Sequence, residues 1–178
     1  MKETQAKRTE IYDGRVIHVV CDDIVLENGE TSKREVVLHN GGVCIALQDD
    51  DGKYFLVRQY RYAQGKEMLE FCAGKIEKGE EPWPAIVREC EEELGYEAED
   101  LIFLGTVVPT PGYCSEVIYL FHGHKGKRVG QHFDKDEDLT LEKYSIEELG
   151  QMIEEGIIDD SKTIVLTYRI ERKGLHVR

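Results

Sequence analysis

Three glutamates stand close enough along the chain to act together: Glu89, Glu92 and Glu93. If this stretch is helical, residues three and four apart lie on one face of the helix. Adjacent carboxylates repel one another unless a cation holds them, and the segment 83–94 contains no lysine that would pair with them. Divalent ions such as Mg²⁺ bind carboxylate oxygens together with phosphates and water. The spacing therefore favours a metal site, with a solvated acidic helix face as the alternative.

A helix is the element that must position these glutamates. Apolar residues recur at steps of four, three and four, which is typical of a helix with one buried face: Trp83, Val87, Cys90 and Leu94. Gly95 follows as a C-terminal glycine cap. We therefore predict a helix over 83–94 whose apolar stripe, Trp83 included, packs into the core and whose opposite face carries the glutamates.

The loop before this helix completes a longer pattern. Gly74 is followed after five residues by Glu80, seven further residues lead to Arg88-Glu89, and the glutamate pair and Gly95 close the motif. This resembles the Nudix box, G-x5-E-x7-R-E-U-x-E-E-x-G-U with U apolar, and every fixed position is met. Glycine permits tight turns at both ends, and we expect Arg88 to pair with Glu80 and hold the loop.

The resemblance implies a divalent metal ion and water attack on phosphorus. In the Nudix family, glutamates at the places of Glu89, Glu92 and Glu93 bind the ion, together with a backbone carbonyl at the place of Ala73. Glu92 and Glu93 then belong to the catalytic group as well. Mg²⁺ is the expected ion, and Mn²⁺ is a substitute of similar chemistry.

Three further runs are similar to the ADP-ribose pyrophosphatase branch of that family: VRQYRY, LEFCAGKIEKGEEP and PTPGYCSE. Pro111 stands sixteen residues after Gly95, as in this branch, whereas Cys72 replaces the proline of the usual LPAGK run. The likeness covers about residues 31–172. It implies hydrolysis of ADP-ribose to AMP and ribose 5-phosphate.

The branch also implies roles for residues outside the box. Arg61 and Arg34 match arginines that contact substrate, and arginine suits phosphate because its planar fork donates two parallel hydrogen bonds. Tyr113 is a candidate to line the nucleoside pocket, and Glu116 to contact the terminal ribose. Glu137, in the acidic run 134–138, is the candidate general base. The alternatives are a surface arginine at Arg34, a structural tyrosine at Tyr113 and a solvated loop at 134–138.

Three other functions stay open. A hydrolase of another nucleotide sugar, such as GDP-mannose, would share nearly all of these residues. A Nudix domain that binds nucleotide and regulates without cleaving it is disfavoured by the complete box. The third possibility is an acidic protein-interaction domain, in which the match to the Nudix box would be a coincidence.

The same resemblance predicts an α/β/α sandwich with a mixed β-sheet for residues 40–178. Residues 1–39 contain the hairpin signals Asp13-Gly14 and Asn28-Gly29, so we predict a small β-rich segment there. In the branch it exchanges between subunits, which implies a homodimer. Ser145 and Glu148 have capping-box spacing for a helix to about Glu154, and a last helix is expected over 161–172.

Composition excludes several classes of protein. The 178 residues carry a formal net charge of −13, which disfavours nucleic acid as a partner because such binding depends on lysine and arginine. Apolar runs fall short of the ~18 residues that span a membrane, and the first ten residues have no apolar stretch typical of a secretory signal, so we expect a cytoplasmic protein. The five cysteines show no CxxC spacing, which argues against a disulfide framework and a structural zinc site; Cys44 and Cys90 fit the core.

Overall fold

A computed structural model describes residues 2–132 and 138–176. Its strands and helices are β1 (Glu3–Asp13), β2 (His18–Leu26), β3 (Thr31–Leu38), β4 (Gly42–Gln48), β5 (Tyr54–Arg61), β6 (Lys66–Glu70), β7 (Cys72–Lys75), α1 (Pro82–Glu89), β8 (Tyr96–Val107), β9 (Ile118–Arg128), β10 (Leu139–Tyr144), α2 (Ile146–Glu154) and α3 (Ser161–Lys173). A short 3₁₀ turn, Tyr62–Gln64, follows β5, and a π-helical turn, Cys90–Leu94, follows α1.

The chain divides into two compact units. The first comprises Met1–Gly41 and Val108–Val117, and the second comprises Gly42–Val107 and Ile118–Arg178. The placement of 108–117 in the first unit was not foreseen, because that stretch is distant in sequence from the N-terminal strands. The domain boundary at 39/40 and the dimerisation role of the first segment stay predictions.

The first unit is built on an antiparallel sheet of three strands in the order β1-β2-β3. The predicted hairpins are confirmed. In the second of them Gly29 has a φ of +84°, a conformation that glycine adopts without steric cost, and the Asn28 side chain accepts a hydrogen bond of 3.0 Å from Glu30 N. Val37 of β3 pairs with Cys114, which ties the 108–117 stretch to this sheet.

The second unit holds a seven-stranded sheet whose main path runs β10-β5-β4-β9-β8, with β6 beside β5 and β7 beside β4. Strands β4 and β9 are parallel, and the other pairs are antiparallel. The predicted mixed sheet is therefore confirmed. The arrangement places β7, which carries Ala73 and Gly74, next to β4.

Helices cover both faces of this sheet. Every residue of β4 is buried, and because successive side chains of a strand point to opposite faces, it contributes to two separate cores. Cys44 packs in a cluster with Leu149 of α2 and Leu166 of α3. Ile45 packs in the other cluster with Ile86 of α1. The α/β/α sandwich predicted from the sequence is confirmed, with α1 on one face and α2 and α3 on the other.

The two predicted C-terminal helices, α2 and α3, are confirmed, and a local capping signal marks the start of α2. The Ser145 hydroxyl accepts a hydrogen bond of 3.2 Å from Glu148 N, and the Glu148 carboxylate accepts one of 2.7 Å from Ser145 N. This is the predicted capping box, and α2 ends at Glu154 as expected. Helix α3 runs one residue beyond its predicted end, to Lys173.

The predicted helix over 83–94 needs two corrections. It is α-helical only over Pro82–Glu89 and then widens into the π-helical turn. Gly95 N lies 3.2 Å from the carbonyl of Cys90, five residues back, and Gly95 has a φ of +76°. Trp83 was predicted to be core, but it is 49 % exposed. It lies in the first turn of α1, where its ring packs against Phe121 in a T-shaped pair with the ring centroids 5.2 Å apart.

Among the described residues, no helix is long and apolar enough to cross a membrane.

Candidate active site

The first contact of the site joins β7 to α1. A Cβ added to Gly74 would lie 1.8 Å from Cδ of Glu89 and within 2.2 Å of both its carboxylate oxygens, which is far inside van der Waals contact. Only glycine at this position lets the Glu89 carboxylate pack against the strand. The expected tight turn at this glycine is wrong, because Gly74 lies within β7 and does not have a positive φ. The glycine that opens the motif instead makes room for one of its glutamates.

The second contact of the same strand involves Glu93. This side chain is buried, at 4 % exposure, and its Oε2 accepts a hydrogen bond of 3.4 Å from Ala73 N. Its backbone carbonyl accepts a further bond of 2.7 Å from the Gln131 side chain. The π-helical turn and β7 thus bring Glu89 and Glu93 to one strand, while Glu92 is the most exposed of the three glutamates, at 42 %.

Arg88 organises the face that these glutamates share. It donates to both oxygens of Glu80, at 3.1 and 3.0 Å, which confirms the predicted pair. The guanidinium also donates to Lys75 O at 3.1 Å, to Glu89 Oε1 at 2.8 Å and to Glu92 Oε2 at 3.0 Å. These hydrogen bonds, that to Glu80 first, raise the pKa of Arg88, and the bond from Arg88 lowers the pKa of Glu80. One cation therefore fixes the loop and bridges two candidate metal ligands, Glu89 and Glu92.

The residues on this face fit a hard divalent cation. Among the described residues, no three His, Cys, Asp or Glu side chains are already gathered as a metal-binding group. Glu89 and Glu92 share Arg88 instead, and Glu93 is bonded to Ala73. Carboxylate oxygens are nevertheless the donors that Mg²⁺ prefers. Among the residue types, only glycine at position 74 leaves space for the Glu89 carboxylate.

Arg61, a predicted substrate residue, forms a two-pronged ion pair. At the end of β5 its Nε and Nη2 donate to the two oxygens of Glu70, both at 2.7 Å. Glu70 is 2 % exposed, whereas the Arg61 side chain is 39 % exposed. The arginine is therefore anchored on its inner side by a buried carboxylate, and Nη1 is the end of the fork that takes no part in this pair.

The sequence did not predict the buried charged residues that lie behind Arg61, which are Glu70, Lys162 and Asp160. Glu70 also accepts from Lys162 Nζ, which lies 2.9 Å from Asp160 Oδ2. Burial by itself raises the pKa of Glu70, but hydrogen bonds and charges from Arg61 and Lys162 outweigh it and lower that pKa to about 2. One signal was present: Lys162 stands four residues before Leu166, on the buried stripe of α3, where a lysine is rarely found without a partner.

Three predicted substrate residues belong to the first unit. Arg34 donates to Glu3 at 3.0 and 2.5 Å on the exposed surface of the sheet. The backbone carbonyl of Tyr113 accepts a hydrogen bond of 2.7 Å from Val37 N, while the Tyr113 side chain is largely exposed. Glu116 Oε1 lies 3.6 Å from Nδ1 of His39. The Tyr113 ring is thus held on an anchored backbone and is accessible to a ligand.

The remaining predicted residue, Glu137, lies outside the described residues.

Next to the described part of the site is a cleft of about 600 Å³, lined by Trp83, Pro84, Val87, Arg88, Glu91, Glu92, Val129 and His132. The half-exposed indole and the Arg88–Glu92 pair therefore border the same open space.

Three of the five cysteines are buried and poorly suited to act as nucleophiles. All five are free thiols, and Cys44 and Cys90 are fully buried, as predicted. Cys72, which stands where proline is usual, is buried as well, and this burial raises the pKa of its thiol. A thiol that resists deprotonation is a poor nucleophile at neutral pH.

Comparison with known proteins adds a family model and several relatives. The model described as NUDIX domain matches residues 38–166. A protein of Bacillus methanolicus called methanol dehydrogenase activator is 39% identical over 166 residues, covering 92% of this chain and 90% of that protein. ADP-ribose pyrophosphatase of Bacillus subtilis (strain 168) is 33% identical over 165 residues, covering 92% and 89%. GDP-mannose pyrophosphatase of Escherichia coli (strain K12) is 29% identical over 171 residues, covering 89% of each chain.

A solved structure extends the comparison to the fold. The crystal structure of an ADP compounds hydrolase superimposes with a TM-score of 0.87, covering 98% of this chain and 96% of that one, at 23% sequence identity. At this level of identity the likeness concerns the fold.

Proposed function

This chain belongs to the NUDIX domain family, and on that premise we propose that it is a metal-dependent hydrolase that cleaves the diphosphate of a nucleoside diphosphate sugar. The observation that carries the proposal is the acidic helix face packed on β7. Glu89 occupies space that only Gly74 can provide, Glu93 is bonded to Ala73 N, and Arg88 holds Glu89 beside Glu92. This packing keeps three carboxylates, the donors that a hard divalent cation prefers, on one element of the fold.

Glu89, Glu92, Glu93 and the backbone carbonyl of Ala73 are the proposed ligands of Mg²⁺, for which Mn²⁺ is a substitute. When bound, the ion neutralises the diphosphate and lowers the pKa of a water molecule. Oxygen donors throughout the set suit such a hard cation. We assign Glu92 and Glu93 to the catalytic group on the same grounds.

Arg61 is the proposed contact to the diphosphate. Its pair with Glu70 fixes the plane of the guanidinium, and a pre-oriented fork loses little freedom when it binds an oxyanion. Tyr113 is proposed to stack on the base with its exposed ring. Arg34 is proposed to contact the substrate and Glu116 to contact its terminal ribose, as the family resemblance implies.

Glu137 is proposed as the general base that takes a proton from the attacking water. The water oxygen bonds to one phosphorus while the bond from that phosphorus to the bridging oxygen breaks. The bridging oxygen leaves with the other phosphate. For ADP-ribose the products are AMP and ribose 5-phosphate.

ADP-ribose is our preferred substrate, and GDP-mannose is the alternative within this class. The relative from Bacillus subtilis named for ADP-ribose is 33% identical, whereas the Escherichia coli relative named for GDP-mannose is 29% identical. The runs VRQYRY and PTPGYCSE also favour the ADP-ribose branch.

A regulatory function is the second candidate, and one observation favours it. The relative with 39% identity is named as an activator of a dehydrogenase. A purely regulatory domain would bind a nucleotide and release it uncleaved, so measurement of turnover separates it from the hydrolase.

The test is a side-by-side assay of nucleotide sugars, dinucleotides and nucleoside triphosphates. We expect ADP-ribose to be cleaved in Mg²⁺, the reaction to stop in excess EDTA, and added Mg²⁺ to restore it. The kcat/KM for ADP-ribose should exceed that for ATP or dGTP at least about tenfold, a difference of about 1.4 kcal/mol in transition-state binding. The reason is that extra phosphate charge is repelled by an acidic protein.

Each outcome of this assay has a separate meaning. Full activity in excess chelator would exclude the metal-dependent hydrolase. Higher efficiency on dGTP or on a dinucleotide would exclude the ADP-ribose branch and leave the family membership intact. Binding without turnover of any compound would favour the regulatory domain.

We propose that the protein is a homodimer assembled through its first unit. All eleven residues of β1 are exposed, and Ile11 and Tyr12 are more than half exposed at its end. Neighbouring apolar side chains that are left in water favour association. Sedimentation at micromolar concentration should show a dimer, and Ile11→Glu should shift it toward monomer. The control is Ile157→Glu, an exposed isoleucine in the second unit, which should leave it dimeric. A fully active wild-type monomer would contradict the proposal.

Cytoplasmic location, with neither nucleic acid nor membrane as a partner, completes the proposal. Five free thiols suit a reducing compartment, and the net charge of −13 repels phosphate backbones. Cell fractionation that recovered the protein with membranes would contradict this location.

A further inference from the structure

The residues behind Arg61 form a charge-balanced group inside the second unit. Glu70 and Lys162 are 2 % and 8 % exposed, and Asp160 is 15 % exposed. The two cations of the group, Arg61 and Lys162, both donate to Glu70, and Lys162 also bridges to Asp160. Burying such charges costs free energy that their mutual attraction only partly returns. Stability alone is therefore a weak reason for this arrangement.

The geometry indicates what Lys162 adds. Glu70 Oε2 accepts from both Lys162 and Arg61 Nη2, whereas Oε1 accepts from Arg61 Nε. A carboxylate bound by arginine alone can rotate with its partner about the side-chain bonds that both retain. Lys162 supplies a second anchor from α3, whereas Glu70 and Arg61 lie on strands, and it stands 92 residues away from Glu70 along the chain. The plane of the Glu70 carboxylate, and with it the plane of the Arg61 fork, is then set by α3.

The same end of α3 also holds the backbone that follows Glu70. Phe71 N donates to the Thr163 hydroxyl at 3.0 Å, and that hydroxyl donates to Asp160 Oδ2 at 2.6 Å. Asp160 additionally caps the helix by accepting from Thr163 N at 3.0 Å. The backbone at Phe71 is thus tied to α3 by the hydroxyl of Thr163, so loss of the Lys162 ammonium should release Glu70 and Arg61 while leaving the path of the chain in place.

We propose that Lys162 is a positioning residue for diphosphate binding, which holds the Glu70 carboxylate so that Arg61 presents its outer edge to the substrate. This rests on the proposed function, because it assumes a diphosphate substrate at Arg61. Lys162 itself is buried and does not touch the substrate.

The test is Lys162→Met, which keeps the length of the side chain and removes its charge. The probe is the α,β-methylene analogue of ADP-ribose, whose affinity is measured by calorimetry. We expect Kd to rise about tenfold, the scale of one misplaced hydrogen bond between charged groups. Affinity for Mn²⁺ should be unchanged. The control is Lys66→Met, which removes a neighbouring lysine paired with Asp159 and should leave Kd as in the wild type.

A coupling measurement distinguishes positioning from a merely structural role. If Lys162 acts through Arg61, then Lys162→Met should change Kd by less than about twofold in an Arg61→Met background, since effects that share one route are not additive. The same tenfold change in both backgrounds would overturn the proposal. So would an Arg61→Met variant with wild-type Kd, or a Lys162→Met variant with reduced Mn²⁺ affinity, which would place the effect in the metal loop.

If Lys162→Met fails to fold, a second variant tests the same proposal. The double variant Glu70→Gln with Lys162→Met removes one charge of each sign, so that no buried carboxylate is left with a single partner. It should fold and show the same weakened Kd, and a wild-type Kd in this variant would overturn the proposal. If the wild-type protein bound no analogue at all, the proposed function would fail. This result is distinct from a measurable Kd that does not change when Lys162 is replaced, which would overturn only the role of Lys162.

Discussion

Replacement of Glu93 by glutamine should lower kcat by on the order of 100-fold or more while the protein remains folded. A catalytic carboxylate that stabilises charge or moves a proton contributes on this scale. Glutamine has the size of glutamate and keeps an oxygen that can accept the hydrogen bond from Ala73 N, which is 3.4 Å long in the native protein. The change therefore removes the negative charge with little effect on packing. Steady-state kinetics with ADP-ribose and thermal unfolding measure the two quantities.

Glu137→Gln is the matched comparison for this result. A general base outside the metal site should lower kcat when replaced, while KM and Mn²⁺ affinity change little. Glu93→Gln should lower Mn²⁺ affinity as well. If Glu93→Gln retained wild-type kcat, its assignment as a metal ligand would be wrong. An unchanged kcat in Glu137→Gln would move the role of general base to another carboxylate, such as Asp136.

Replacement of Gly74 by alanine should lower kcat/KM about 100-fold. The added Cβ would lie 1.8 Å from Cδ of Glu89, so the carboxylate must move by at least an ångström, and displacements of this size in an active site cost about 100-fold. Overpacking should also reduce the free energy of unfolding by roughly 1–3 kcal/mol. Kinetics, Mn²⁺ titration and denaturant unfolding of the same preparation test the three effects.

Gly150→Ala is the control for this substitution. Gly150 lies inside α2, and a Cβ there would meet only Glu171 Oε1, at 3.7 Å. Alanine in a helix interior is favoured over glycine by about 1 kcal/mol. This variant should therefore be fully active and slightly more stable. A Gly74→Ala enzyme with the same activity as Gly150→Ala would show that the close approach of Glu89 has no functional role.

Local features of this protein were determined by the sequence alone. The capping box of Ser145 and Glu148, the hairpin at Asn28-Gly29 and the pair between Arg88 and Glu80 all join residues within eight positions of one another. Short contacts of this kind depend on backbone geometry and side-chain type, both of which can be read along the chain.

The helix that carries the glutamates has two features that the sequence pattern did not predict. Its apolar spacing predicted one continuous helix, yet the last turn is π-helical over Cys90–Leu94. The widened turn alters the hydrogen bonds of a single turn and leaves the apolar pattern unchanged, so periodicity does not reveal it. π-helical turns are often found at functional sites. Trp83 was misplaced for a related reason: a periodic stripe predicts which side of a helix faces the core, but not how far the neighbouring strands extend beneath its first turn.

Only the tertiary structure decided the contacts between distant segments. Gly74 meets Glu89 because β7 pairs with β4 while α1 packs on the face of the same sheet. Lys162 reaches Glu70 across 92 residues because α3 begins beside the end of β6. Such pairs depend on the order of strands and on which face each helix covers, and these are set by burial summed over the whole unit. The types of residue that perform the chemistry could therefore be read from the motif, whereas the buried charges that orient them could not.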